Sequence, residues 1–394
     1  MTEASVASCV LRDIAYRSYP SDRTVTVRCT VVPESGTAPA DGYGTARAEA
    51  VARKKALSEA VERLVACTPF ALVARPPTAR TGRGTTPHPL SDGVRTVPDG
   101  CLVRRYRSLG GGSPEQVPMF WSSPWVAGRE LRSAHLSAQE ARLSSTIGWA
   151  VAPSPAEALR GALFELTELL NYGAFLYRCL TGPPGRPSDD RSGRGSRDHD
   201  DTVVQTVPID FAARTPTVLA LSRRGGRLMP ATGVGCASTT AEATARAMLE
   251  LAQAETLWRS NTTAETAERF FVRRFDRWPL LRRCVTLDFD PIPHAEPPGA
   301  MPGPSPLEEL AARSIATWAD AGAIDISGPG TEDTRLYFAH VVSHPQPLLG
   351  LVRAGIPVFD TGEVRKILDR SRRSRPSDRS PSERISQGGR PAGT

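Results

Sequence analysis

Strands and helices that interleave along 394 residues predict an α/β (α+β) fold. Three observations carry that prediction. Residues 23–32 alternate, with Val25, Val27, Cys29 and Val31 set between polar neighbours, which is the period of a half-buried strand. Segments 46–66, 155–180, 240–260 and 306–322 instead space their apolar residues as helices do. Short apolar runs at 202–207, 215–222, 284–289 and 336–343 fall among these helices and read as further strands.

Stretches rich in Pro and Gly break the pattern near 74–100, 181–201 and 291–306. They read as insertions in one domain over residues 1–369, followed by a disordered Arg/Ser/Pro-rich tail at 370–394. With 40% apolar and 23% charged residues, the chain as a whole is ordinary globular material. No apolar run reaches the roughly 18 residues of a membrane span. The start carries Glu3 and Arg12 and no basic-then-apolar signal pattern, so a cytoplasmic protein without a membrane partner is expected. The net charge of +7 sits mostly in the tail, where seven arginines face only Asp378 and Glu383. Nucleic acid is therefore not an expected partner. Seven scattered cysteines form no C-x-x-C pair, and six histidines form no H-E-x-x-H. Neither a disulfide framework nor a zinc site is expected. His340 and His344 flank Val-Val and precede Pro345, which suits a strand end better than a ligand-bearing helix.

The three strongest helices share a pattern, A-x-x-x-A-x-x-E-x-x-[EQ]. It reads Ala52, Ala56, Glu59, Glu62 in the first, Ala158, Ala162, Glu165, Glu168 in the second, and Ala243, Ala247, Glu250, Gln253 in the third. Each copy stands eight to ten residues after a glycine, Gly44, Gly148 or Gly235, so the expected unit is a glycine turn followed by a helix. At about 100° per residue, these offsets fall within roughly 120° of one another. Small residues and acids thus share a face. Glu165 and Glu168 are the only acids in the run Ala-Leu-Arg-Gly-Ala-Leu-Phe-Glu-Leu-Thr-Glu-Leu-Leu. Carboxylates on so apolar a helix need a cation, a hydrogen-bond network or a metal.

Five acids and one glutamine on three helices suit a hard cation, most simply Mg²⁺ with phosphate oxygens completing its shell. Arg63 and Arg246 lie beside these acids and are suited either to phosphates or to neutralising a neighbouring glutamate. The chain contains no G-x-x-x-x-G-K-[ST], no G-x-G-x-x-G before a helix and no G-x-S-x-G. A nucleotide would be held by something other than a P-loop or a dinucleotide-binding turn.

These segments resemble the motifs of the YcaO-type proteins. Gly-Tyr-Gly-Thr-Ala-Arg-Ala-Glu-Ala…Ser-Glu-Ala-Val-Glu-Arg (42–63) resembles the first, and Thr-Ile-Gly-Trp-Ala-Val-Ala (146–152) with the helix after it resembles the second. Gly-Val-Gly-Cys-Ala…Ala-Arg-Ala-Met-Leu-Glu-Leu-Ala-Gln (233–253) resembles the third. The resemblance runs over roughly residues 40–345. It implies an enzyme that uses ATP and Mg²⁺ to phosphorylate the oxygen of a peptide amide. A Cys, Ser or Thr side chain then adds to give an azoline, or sulfide adds to give a thioamide; an amidine is a further product type. It implies that Glu59, Glu62, Glu165, Glu168 and Glu250 hold magnesium and nucleotide. By the same resemblance Arg246 contacts phosphate and Gln253 lines the same pocket; Arg63 beside the first acids, Thr146 in place of a family serine and Lys55 as a replacement for the lost lysine charge are expected around the nucleotide as well. The chain departs from the family at several positions: Tyr43 stands where the family has lysine, Lys55 where it has serine, Ile147 where it has asparagine and Leu169 where it has arginine. The Pro-x-Pro-x-Pro ending of azoline formers is absent.

The function expected is cyclodehydration of a ribosomally made precursor peptide. The rival expectation is a non-catalytic scaffold that binds precursor peptide or a partner enzyme. The retained acids favour the first, and Tyr43, Ile147 and Leu169 favour the second. No additional leader-binding segment is expected in the chain, so a separate leader-binding or E1-like partner protein is. The residues leave the oligomeric state open, a homodimer included.

Overall fold

Two-residue periodicity builds most of the first sheet. In the computed structural model, residues 6–21, 23–82, 86–87, 96–181, 197–198, 202–223, 227–289, 292–295, 305–329, 334–344 and 348–356 are described. The tail expected at 370–394, and most of the loops expected at 181–201 and 291–306, lie outside these residues. Strand β1 (Val6–Pro20) pairs in antiparallel fashion with β2 (Val25–Pro33), whose Val27, Cys29 and Val31 are fully buried. Strand β3 (Ala40–Ala46) extends the sheet beyond β2 as its edge. Helix α1 (Glu49–Cys67) lies across β3 and β2. Strands β4 (Leu102–Ser108) and β5 (Glu115–Pro118) form a hairpin, and helix α2 (Pro124–Arg132) follows. Strand β6 (Trp149–Ala152) leads into the long helix α3 (Pro155–Thr181).

A second, antiparallel sheet holds β7 (Thr202–Pro208), β8 (Thr217–Arg223) and β9 (Ala231–Cys236), with helix α4 (Thr240–Ser260) against β9 and β8. Helices α5 (Ala264–Arg273), α6 (Pro279–Thr286) and α7 (Pro306–Ala312) follow. The chain then returns to the first sheet through β10 (Ala316–Ser327) and β11 (Thr334–His344). The path across that sheet is β3-β2-β1-β10-β11-β6, with β4 joined to β10. Among the described residues only β1 and β10 run parallel, from Val6 opposite Ala323 to Val10 opposite Ser327. A 3₁₀ segment at Leu348–Ala354 closes the described chain.

Two expected elements are corrected. Residues 284–289 are not a strand: Pro279 starts a helix in which Leu281 and Cys284 share the buried face, and Leu287, with φ 46°, ends it. Residues 306–322 are not one helix. A capping box between Ser305 and Glu308 starts α7, the chain turns at Ser314 (φ 56°), and Ala316 begins β10. Its alanines have helical propensity, but pairing with β11 on one side and β1 on the other decides the outcome.

The glycines of the repeat also act differently from expected. Gly42, Gly44, Gly233 and Gly235 are strand residues, not turn residues. A Cβ on Gly44 would lie 2.2 Å from the Ala52 carbonyl oxygen, and one on Gly235 would lie 2.4 Å from that of Ala243. A Cβ on Gly42 would lie 2.1 Å from Ala60 N, and one on Gly233 2.2 Å from Ala247 O. Each helix backbone therefore rests directly on its strand, across fully buried Ala52 and Ala56 or Ala243 and Ala247. The two units keep one constant offset throughout, so Glu59 corresponds to Glu250. The middle unit differs: Gly148 has φ +81° and abuts Val341 of β11, while α3 approaches Ala150 through its own Gly161.

A buried polar network fixes the segment before β6. Arg75 is fully buried, and its Nε donates to Asp320 Oδ2 at 2.8 Å, Nη1 to Ser122 Oγ at 3.0 Å and Nη2 to the Tyr106 hydroxyl at 2.7 Å. The Tyr106 hydroxyl in turn donates to His340 Nδ1 at 2.7 Å, and His340 Nε2–H donates to the Ile147 carbonyl at 3.1 Å. Burial first, then the Arg75 charge, holds the imidazole well below its usual range, so it stays neutral. His340 and His344 both belong to a strand, as their spacing before Pro345 suggests.

If helix and strand meet at the glycines, Gly235→Ala should cost about 2–3 kcal/mol of stability. Gly82→Ala, with nothing within 4 Å of the added methyl, should change it by less than about 0.5 kcal/mol. Urea denaturation of the two variants checks this, and equal midpoints would contradict the packing described.

Candidate functional site

The close helix–strand contacts aim two glutamates. Tyr43 lies between Gly42 and Gly44 on the edge strand β3, and its N–H donates to Glu59 Oε2 at 2.9 Å. Val234 lies between Gly233 and Gly235 on the edge strand β9, and its N–H donates to Glu250 Oε2 at 3.1 Å. One turn earlier on each helix stands a cation. Lys55 Nζ donates to the Thr45 carbonyl at 3.3 Å, and Arg246 Nη1 donates to the Cys236 carbonyl at 3.0 Å. The constant offset that relates Glu59 to Glu250 also relates Lys55 to Arg246 and Thr45 to Cys236. The two arms meet where Thr45 Oγ1 donates to Gln253 Oε1 at 3.0 Å.

Helix α3 supplies the wall between the arms. Glu165 and Glu168 line a cavity of about 1020 Å³ together with Lys55, Glu59, Glu62, Arg63, Arg246, Glu250 and Gln253. Nine of the ten site residues expected from sequence are thus in one place. Thr146 stands behind them, accepting from Arg63 Nη1 at 3.3 Å, while Arg63 Nη2 donates to Glu59 Oε1 at 3.2 Å. Of the substituted positions, Tyr43, Ile147 and Leu169 all line the cavity.

One lining residue carries no sequence signal. Arg353, in the 3₁₀ segment, donates from Nη1 to Glu168 Oε1 at 2.5 Å and from Nη2 to Glu250 Oε2 at 2.8 Å. It follows the apolar run Leu-Leu-Gly-Leu-Val and belongs to no motif, so only the fold brings it to the acids.

The electrostatics are unbalanced in a way that suits charged ligands. Removal from bulk water, reinforced by the Glu59 charge and only partly offset by Arg63, pushes the Glu62 carboxyl up to about 8. Removal from water and the Glu250 charge push Glu168 up to about 8, with Arg353 pulling the other way. Glu165 is also raised well above the ordinary carboxylate range, by removal from water and then by Glu62, Glu168 and Glu250. On the other side, removal from water and the nearby Arg246 lower the Lys55 ammonium. Carboxylates that repel one another fit hard divalent cations, and two converging cations fit phosphates. The cavity volume is that of a nucleotide-sized ligand site. Among the described residues, no three His, Cys, Asp or Glu side chains converge closely enough to hold a metal by themselves. A metal held by these acids would need ligand or water oxygens to complete its shell.

A profile of the family described as YcaO cyclodehydratase, ATP- and Mg²⁺-binding, matches residues 102–323. That span contains the second and third acidic helices; the first lies before it. No curated protein sequence matches the chain. The YcaO structure from Methanopyrus kandleri bound with AMPPCP and Mg²⁺ is 16% identical, covers 89% of this chain and 90% of its own, and has a TM-score of 0.55. The E. coli microcin synthetase McbBCD complex with pro-MccB17 bound is 14% identical over 84% of this chain and 87% of that one, with a TM-score of 0.51. A heterocyclase in complex with substrate and cofactor is 13% identical over 84% of this chain and 49% of its own, with a TM-score of 0.50. At such identities the likeness is one of fold.

The raised carboxyls set a pH dependence. Glu62 and Glu168 hold protons in the folded state that they would lose near 4.5 when unfolded. Their contribution to ligand-free stability is full below the ordinary carboxylate range and declines as pH rises through about 8. If these carboxyls hold a divalent cation they must be ionised, and Mg²⁺ binding should then strengthen over the same window and release protons at pH 7. Calorimetry in buffers of different ionisation enthalpy measures that release; enthalpies independent of buffer would contradict it.

Proposed function

The chain belongs to the YcaO family, and from that membership and the two-armed cavity we propose that it uses Mg²⁺-ATP to activate backbone amides of a ribosomally made precursor peptide. The single observation that supports this most is the matched pair of arms. Lys55 with Glu59 and Arg246 with Glu250 present a cation and a carboxylate from equivalent positions on two edge strands. Glu59, Glu62, Glu165, Glu168 and Glu250 would hold the metal. Lys55, Arg63 and Arg246 would face phosphates, with Gln253 and Thr146 supporting them. Bound there, Mg²⁺-ATP supplies a phosphoryl group for an amide oxygen, replacing a poor leaving group by phosphate. Lys55 takes over the cationic role that Tyr43 cannot fill at the start of the motif.

The product we favour is an azoline from a Cys, Ser or Thr side chain; thioamide and amidine formation use the same activation with another nucleophile. The precursor peptide is the substrate, and a separate leader-binding or E1-like protein would deliver it. All seven cysteines are unpaired, which suits a reducing cytoplasm. Among the described residues no helix is long and apolar enough to cross a membrane. The second reading, a scaffold without turnover, is favoured by Tyr43, Ile147 and Leu169 in the cavity wall.

Glu59→Gln, Glu165→Gln and Glu250→Gln should each lower peptide-stimulated ATP turnover on the order of 100-fold or more, with circular dichroism and melting temperature little changed. A parent protein that binds peptide but never turns over ATP, with its partner present, would favour the scaffold. Normal turnover in all three variants would remove these residues from the site.

A further inference from the structure

Arg353 is held in the acid site by packing on both sides of it. A Cβ on Gly350 would lie 2.3 Å from Leu169 Cδ1, so the 3₁₀ segment lies directly on α3 one residue past Glu168. Leu351 and Val352 are buried. Beyond Arg353, Gly355 (φ +79°) sits against the Phe271 ring, 2.4 Å from where a Cβ would be. The guanidinium therefore reaches the cavity from a fixed base. It spans two helices, taking Glu168 Oε1 from α3 and Glu250 Oε2 from α4. A third of its side chain, 33%, remains exposed, more than the 14% of Glu168 and less than the 45% of Glu250, so solvent reaches the bridge.

The guanidinium holds one oxygen of each carboxylate and sets its own charge beside the pair, so a divalent cation drawn to these acids meets both an occupied ligand atom and a like charge. The arrangement also needs Leu169 and Gly350 together, since a longer side chain at 350 would lift the segment away. We propose that Arg353 is the resident counter-ion of the Glu168–Glu250 pair and competes with a divalent cation for it. Metal enters this half of the site only when the 348–354 segment releases its guanidinium. The inference rests on the acids being the metal site and adds a regulator drawn from the same chain.

Mn²⁺ alone, followed by the loss of its free electron-spin-resonance signal, tests this in the full chain. Arg353→Met should bind Mn²⁺ about 10-fold more tightly than the parent, the factor expected if the segment is released a tenth of the time. Arg353→Lys, which keeps the charge but loses the two-pronged bridge, should fall between the two and carries the test if the methionine variant fails to fold. Adding Glu168→Gln to Arg353→Met should remove the gain. Lower melting temperature with Mn²⁺ affinity equal to or weaker than the parent's would make Arg353 a structural staple and overturn the proposal, provided the parent still binds Mn²⁺-ATP. If neither parent nor variants bind Mn²⁺, with or without ATP, the metal-site reading itself fails and the competition with it.

Discussion

A helix backbone resting on a glycine-bearing edge strand is the contact on which the rest of this site depends. Without a Cβ at Gly42, Gly44, Gly233 and Gly235, the alanine faces of α1 and α4 reach the strands they cover. At that distance a glutamate one turn further on meets the strand's free N–H, because each strand is at the edge of its sheet. An edge N–H would otherwise need water or another strand. Here it orients a carboxylate, and the same geometry sets a cation one turn earlier at the carbonyl of the strand's last residues. Using the unit twice produces two arms of like composition around a common volume.

The middle helix completes the site by a different route. Among the described residues no strand N–H holds its acids, and the glycine before it serves strand packing at Val341. The segment before it is steadied by the polar network of Arg75, Asp320, Tyr106 and His340, which ends on the Ile147 carbonyl beside Thr146. Arg104 Nε adds a second donor to Asp320 at 2.7 Å. A buried cation with all three of its nitrogens hydrogen-bonded is costly to disturb. The network thus joins the loop after α1, the β4 hairpin, β10 and β11 to the segment that backs Arg63. The carboxyls of the site keep a raised proton affinity because they are removed from water and stand near one another.

Legibility in the sequence followed the range of the interactions. The three acidic helices were readable because their spacing is a local property: Ala and Glu on one face repeat at helical period whatever surrounds them. Strand β2 was readable for the same reason. The glycine-rich strands β3 and β9 looked like turns, since glycine's usual role there is conformational, whereas here it is clearance for another backbone. Strand β10 looked helical because its alanines are good helix formers; parallel pairing with β1, whose partner residues lie some three hundred positions away, outweighs that preference. Residues 284–289 alternate like a strand, but Pro279 and the Leu281–Cys284 face make them the end of a helix.

By itself, then, the amino-acid order determined which residues could share a helix face, and hence the candidate acids, the cations beside them and the family they resemble. Those are consequences of backbone periodicity and side-chain type, which act over a few residues. The tertiary structure alone decided that the faces converge on one cavity, that the arms are equivalent, and that Arg353 bridges Glu168 and Glu250. Each of these depends on where distant segments come to rest. That is settled by packing clearances, such as Gly350 against Leu169, and by buried charges finding partners, neither of which leaves a local trace in the chain.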